Sequence, residues 1–120
     1  MENIRFFPRQ VLAGTETAAG DTYSDIFDVS AYPVLTVELR IYTANPAAAS
    51  VSCDIEQSMD PTFRPDSWST LGTLTVVAAA GQGSQRTTLN NPARFVRAKV
   101  RVPMAAYATA HVEAVARESS

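Results

Sequence analysis

Leu35-Thr36-Val37-Glu38-Leu39-Arg40-Ile41-Tyr42 is the stretch that decides the fold class. Every odd position is apolar, and every even one is polar or amphipathic. Side chains of an extended chain point alternately to opposite faces, so the stretch predicts a strand buried on one face and solvated on the other. Val51-Ser52-Cys53-Asp54-Ile55-Glu56 repeats the pattern, with Val51, Cys53 and Ile55 inward. Between the two lies Ala44-Asn45-Pro46-Ala47-Ala48-Ala49, a connection built on an Asn-Pro turn signal. Two alternating strands joined by a short loop predict an antiparallel hairpin.

The same period runs outward in both directions. Ser67 to Val77 carries Trp68, Leu71, Leu74 and Val76, and Gly72 predicts a bulge or break within it. Ala80-Gly81-Gln82-Gly83-Ser84 reads as a turn, Arg86 to Leu89 as a short strand, and Asn90-Asn91-Pro92 as a further turn. Val96, Ala98, Val100 and Val102 then share one face, with Phe95, Arg97, Lys99 and Arg101 on the other. Tyr107 to Arg117 alternates again, with Ala108, Ala110, Val112, Ala114 and Ala116 in phase. Alanine favours helix, which makes a helix over 106–117 the competing reading. Small residues at every second position would scatter around a helix axis, so strand is the reading adopted. Toward the N-terminus, Ile4 to Phe7 and Gln10 to Ala13 read as edge strands, Gly14 to Gly20 as a loop, and Tyr23 to Val29 as another strand candidate. Seven or eight short strands with closely spaced turns predict an all-β fold, an antiparallel β-sandwich of jelly-roll or immunoglobulin-like type.

Composition bounds what such a sandwich does. At 120 residues and 46% hydrophobic, the chain has the size of a single domain (1–120) with its own core. One cysteine, Cys53, excludes an internal disulfide framework, and one histidine, His111, excludes most histidine-based metal and triad chemistry. The start, MENIRFFPRQ, lacks the apolar core of a signal peptide, and no apolar run is long enough to span a bilayer. No glycine loop for phosphate and no zinc-ligand spacing occurs, so no cofactor is expected.

The remaining candidates for chemistry each have a plain structural reading. His111 falls mid-strand with Thr109 and Glu113, and no Gly-x-Ser-x-Gly elbow accompanies the serines. Cys53 alternates in phase with Val51 and Ile55, as a small buried hydrophobe does. The carboxylate pairs Asp54/Glu56 and Asp25/Asp28 have the residue types of a glycosidase, but nothing in their spacing indicates a shared cleft. Asp60-Pro61-Thr62-Phe63-Arg64-Pro65-Asp66 reads as a turn rather than a calcium loop. Trp68, the only tryptophan, reads as a core or rim anchor ahead of a sugar-stacking platform.

Charge is segregated along the chain. Residues 1–66 carry a net −6, whereas 67–112 hold Arg86, Arg94, Arg97, Lys99 and Arg101 and no acid, on a chain of net −2. Strand parity places Arg97, Lys99 and Arg101 in one basic stripe with Phe95 at its end. Such a stripe suits nucleic acid, with Phe95 stacking a base. Pairing with acids on neighbouring strands, at Glu38, Asp54, Glu56 or Glu113, is the preferred reading because the chain as a whole is acidic. Contact with an acidic face of a neighbouring subunit is a third.

One ordered set of motifs carries a resemblance. An alternating strand ends in Ile55-Glu56-Gln57-Ser58 and is followed by Asp60. Trp68-Ser69-Thr70-Leu71-Gly72 comes next and, after an interval, Phe95-Val96-Arg97-Ala98-Lys99-Val100. Over residues 35–102 this resembles small β-sandwich proteins of tailed-phage and prophage virions. Discoidin-like and carbohydrate-binding sandwiches share a looser version. The chain departs from the usual compact Ser-Pro-Asp-Gly turn by inserting Met59 and Pro61-Thr62-Phe63-Arg64-Pro65. The resemblance implies a non-enzymatic virion part, a capsid decoration or head–tail-associated subunit present in multiple copies and assembled in the bacterial cytoplasm. Its implied partners are copies of itself and other virion proteins; composition predicts no membrane partner, and the net acidic chain disfavours nucleic acid. Candidate interface residues are Ile4, Phe6 and Phe7, in a segment 1–12 that reads as a docking arm or an edge strand, together with Trp68, Phe95, Arg97, Lys99 and Arg101. The alternative is a carbohydrate-binding or adhesion module with a saccharide site near Trp68 or Tyr42.

Overall fold

The computed structural model describes residues 1–60, 67–78 and 81–118. Nine strands follow in order: β1 (Glu2–Ala13), β2 (Gly20–Tyr23), β3 (Phe27–Asp28), β4 (Val34–Asn45), β5 (Ser50–Ser58), β6 (Ser69–Val77), β7 (Gly83–Asn90), β8 (Phe95–Val102) and β9 (Tyr107–Arg117). They form two antiparallel sheets packed face to face. Sheet A has the order β1-β9-β4-β7, and sheet B the order β2-β8-β5-β6, with β3 also on β8. With β2 and β3 counted as one interrupted strand, the pairing is nested: first with last, second with second-to-last, and so inward to β5 with β6. A long antiparallel ribbon rolled up on itself has this order, so of the two predicted sandwich types the strands adopt the jelly roll.

The predicted hairpin of β4 and β5 is corrected. Both segments are strands, and both alternate as read, but they belong to opposite sheets. β4 is flanked by β9 and β7, and β5 by β6 and β8, so the turn at Asn45-Pro46 is an arch between sheets. Alternation specifies only which side chains are buried. Val37, Leu39 and Ile41 meet Val51, Cys53 and Ile55 across the sandwich interior instead of beside them on one sheet. The arch is tied to the β6–β7 connection through Ala78 N–H to Ala49 O (3.2 Å) and Gly81 N–H to Ala47 O (3.0 Å).

Of the two readings of segment 1–12, β1 takes that of an edge strand. Ile4, Phe6 and Phe7 are 3–4% exposed and belong to the core, so they are not available as a contact surface on this chain. The strand is the edge of sheet A, and its register on β9 shifts between Arg5 and Phe7. That bulge turns two consecutive phenylalanines inward, which strict alternation forbids. Phe6 sets its ring edge-on against Phe27 of β3, 5.4 Å between centroids, and so closes the gap between the sheets on this side.

β9 explains the alanine content. Ala108, Ala110, Val112, Ala114 and Ala116 are all buried on the inner face of a central strand, with bulkier neighbours on the flanking ladders. Ala114 lies between Ile4 and Val37, Ala116 is paired with Leu35, and Ala108 with Leu12. Large beside small keeps the layer at an even thickness. The predicted irregularity at Gly72 is present as a register shift on β5 between Ile55 and Glu56. A Cβ on Gly72 would collide with Leu89 Cδ2 of β7, so the glycine lets the edges of the two sheets close on each other. Among the described residues no helix is long and apolar enough to cross a membrane.

Candidate functional site

The two outer faces of the sandwich hold the polar side chains singled out above. On sheet B, β8 presents Phe95, Arg97, Lys99 and Arg101 outward, as parity requires, and β5 lies beside it with Glu56 opposite Arg97 and Asp54 opposite Lys99. The stripe is therefore neutralised within the chain. Arg97 Nε is 2.8 Å from Glu56 Oε1, Lys99 Nζ is 3.5 Å from Asp54 Oδ2, and Arg101 Nε is 3.8 Å from Asp21 Oδ1 of β2. Of the four acids expected as partners, Asp54 and Glu56 pair with the stripe, whereas Glu38 and Glu113 lie on sheet A; Asp21 is a partner the sequence does not reveal, because it does not show that β2 borders β8. Thr73 Oγ1 donates to Asp54 at 2.8 Å. The Asp54/Glu56 carboxylates are thus held in ion pairs.

Aromatic rings cover the middle of this stripe. The Arg97 guanidinium lies 4.2 Å from the Trp68 ring and 4.5 Å from the Tyr23 ring. Trp68 and Arg97, far apart in sequence, thus meet, and one face of the tryptophan is occupied by a cation. The Trp68 Nε1 atom is buried and has no hydrogen-bond partner among the described residues. Phe95 is half-buried, with Arg94 5.0 Å over its ring. Arg94 also reaches Asp28, whose carboxyl is held below its ordinary pKa by the Ser30 backbone and side chain and then by Arg94. The predicted turn at 61–66, and the calcium reading weighed for it, lie outside the described residues.

Sheet A carries a cluster that sequence reading did not assemble. His111 lies on the outer face with Thr109 and Glu113, as alternation predicts, but its main partner comes from β4. Tyr42 Oη is 3.0 Å from His111 Nδ1, and His111 Nε2 is 3.0 Å from Glu113 Oε2. A carboxylate only accepts, so a neutral imidazole donates from Nε2 to Glu113 and accepts the Tyr42 hydroxyl proton at Nδ1. Arg9 lies 4.1 Å over the Tyr42 ring. Glu113 also faces Arg5 at 4.0 Å, and its cross-strand neighbour Glu38 pairs with Arg86 (3.0 Å) and Arg40 (3.6 Å). The register shift between Ile41 and Thr43 contributes to placing Tyr42 here, and only the β4–β9 pairing reveals it.

Cys53 is fully buried, and burial, with a smaller contribution from the Asp54 charge, pushes its thiol up to about 12. Such a thiol is not a nucleophile at neutral pH. Among the described residues no group of three or more histidine, cysteine or carboxylate side chains could hold a metal ion.

No protein-family model matches the chain, and no curated protein matches its sequence. Its architecture, in contrast, is shared with solved structures of low identity. The PBSX exported protein XepA superposes with a TM-score of 0.65 at 13% identity, over 99% of this chain and 38% of that one. VP2 of an infectious bursal disease virus subviral particle gives 0.58 at 10% identity, over 97% of this chain and 32% of VP2. PirA gives 0.55 at 13% identity, over 96% of this chain and 93% of PirA. Adhesin and carbohydrate-binding domains share the sandwich as well. At such identities the likeness is one of fold. The chain spans about a third of the XepA and VP2 chains.

Proposed function

We propose that the chain is a non-enzymatic structural subunit of a virion, a capsid-decorating or head–tail-associated protein that acts in multiple copies and is assembled in the bacterial cytoplasm. The observation that carries this reading is the jelly-roll order itself, matched over 97% of the chain by the particle-forming protein VP2. The chemistry of the outer faces is in keeping with it. Of the two carboxylate pairs with the residue types of a glycosidase, Asp54 and Glu56 are engaged with Lys99 and Arg97. His111 is held between Tyr42 and Glu113, and no serine or cysteine side chain among the described residues hydrogen-bonds to it. The resemblance of the 35–102 motifs to tailed-phage and prophage sandwiches points the same way. Co-sedimentation of the purified chain with capsids and tails of its source tests the reading. Saturable binding to one of them supports it, and no affinity for any particle overturns it.

Saccharide binding is the second reading, favoured by the sugar-binding and adhesin domains among the structures that share the fold. It needs an aromatic face free to stack on a sugar. Arg97 covers one face of Trp68, and Arg9 lies over Tyr42, so the two rings named for this role are already in contact with cations. A glycan array decides it: hits lost on Trp68→Ala would establish this reading, and an array without hits removes it.

A further inference from the structure

The basic stripe that is obvious in the sequence is the neutralised one; the surplus positive charge lies on the opposite sheet. Arg5 and Arg9 of β1, Arg40 of β4, Arg86 of β7 and Arg117 of β9 converge on the outer face of sheet A, where the only carboxylates among the described residues are Glu38 and Glu113. That face carries +3 on a chain of formal net −2, which leaves −5 for the rest. Arg9 and Arg117 have no carboxylate partner among the described residues. Arg117 donates to Thr36 Oγ1 at 2.9 Å, and its Nε is buried without a hydrogen-bond partner among them. It borders a depression of about 530 Å³ whose lining includes Met1, Thr36, Arg86 and Thr88 and the two carboxylates of this face, Glu38 and Glu113.

The complementary charge is on the same molecule. Asp21, Asp25 and Asp28 are exposed along the β2–β3 flank, one edge of sheet B, and Glu16 is exposed in the β1–β2 loop that leads into it. Asp21 and Asp28 are matched by Arg101 and Arg94, whereas Glu16 and Asp25 have no cation partner among the described residues. We propose that the outer face of sheet A docks on the β2–β3 flank of a second copy of this chain, with a flank carboxylate seated in the depression beside Arg117 and Arg86. The two surfaces are different parts of one molecule. The contact is therefore head-to-tail, which builds a ring or an open row rather than a two-fold dimer. The proposal rests on the multi-copy reading above and specifies the surface through which copies meet.

Sedimentation velocity of the full chain at 50 and 500 mM NaCl provides the test. The wild type is expected to self-associate, with the constant at least about tenfold weaker at the higher salt, since exposed charge pairs are screened. Arg9→Glu with Arg117→Gln takes the face to zero, and Glu16→Arg with Asp25→Arg reverses the two unpaired flank acids. Each double variant, folded by circular dichroism, is expected to stay monomeric where the wild type associates. An equimolar mixture of the two is expected to give a one-to-one dimer and nothing larger, because each retains the surface that the other lacks. A wild type monomeric throughout, association that persists in both variants, or a mixture that does not pair overturns the proposal. So does salt-sensitive binding of poly(dT) that is lost in the Arg9/Arg117 variant while self-association is unchanged, which would make the face a nucleic-acid surface. A monomeric chain that still co-sediments with particles removes this proposal and keeps the virion reading; an associating chain that binds no particle does the reverse.

Discussion

Replacing Glu56 is the sharpest test of how the outer face of sheet B is held together. Its carboxylate is 2.8 Å from Arg97 Nε and 4.0 Å from Lys99 Nζ, and the Glu56 and Arg97 side chains are only 13% and 16% exposed. Glu56→Ala leaves the Arg97 guanidinium between Trp68 and Tyr23 with no carboxylate to balance it. It also leaves Lys99 to Asp54 alone. A charge-assisted hydrogen bond contributes about 1.5–3 kcal/mol, and stranding one partner of a fully buried pair costs about 3–5 kcal/mol. Residual exposure reduces the second figure, so the expected loss is about 2–3 kcal/mol. Arg97→Met behaves differently. It keeps an apolar stem between the two rings and leaves Glu56 within reach of Lys99, for an expected loss of about 1 kcal/mol. Urea unfolding followed by the fluorescence of Trp68, the only tryptophan, reads both values. An unchanged m-value ties each shift in midpoint to stability. Equal losses in the two variants, or a loss below about 1 kcal/mol for Glu56→Ala, would show that solvent, and not Glu56, balances Arg97.

Three further outcomes follow from the packing and from one titration. Ala110→Leu adds three carbons to a fully buried position on β9 and is expected to cost about 1–3 kcal/mol or more by urea unfolding, whereas Thr109→Val on the outer face should be near neutral. Gly81→Ala is expected to cost about 1 kcal/mol because φ there is +84°, although a Cβ would meet nothing closer than the Ala44 oxygen at 3.6 Å; a loss near zero by thermal unfolding would refute the conformational argument. Because the folded Cys53 thiol titrates at about 12 against 9.0 for the unperturbed group, the unfolded chain gives up its proton first. Stability is full well below pH 9 and falls above it, by roughly 1 kcal/mol at pH 10, a loss that Cys53→Ala or Cys53→Val should abolish. The same burial makes labelling by a thiol reagent at pH 8 follow unfolding rather than free reaction.

Strand and face were legible residue by residue. The period of two in 35–42, 51–56, 95–102 and 107–117 identifies strands β4, β5, β8 and β9 and their buried sides, and the alanines of β9 follow that rule despite their helical propensity. The alternation of charge along β8 likewise identifies Arg97, Lys99 and Arg101 as one stripe, and the acids of matching parity on β5 as its partners. These properties are local, because a side chain's direction depends only on its own backbone.

Partnership was not legible. A hairpin and an arch bury the same side chains of β4 and β5, so alternation is indifferent to which forms, and the choice was made by β7 and β9 occupying both edges of β4. Phe6 and Phe7 both turn inward because a bulge against β9 removes the parity that would have exposed one of them. Tyr42 reaches His111, and Trp68 reaches Arg97, only through ladders and loops that join distant segments. The basic face of sheet A is the same kind of property: five arginines scattered from position 5 to position 117 show no run or stripe in the chain. The sequence by itself determined which residues lie inside and which outside. Tertiary structure decided which outward groups meet, because strand pairing is a long-range choice that a two-residue period does not encode.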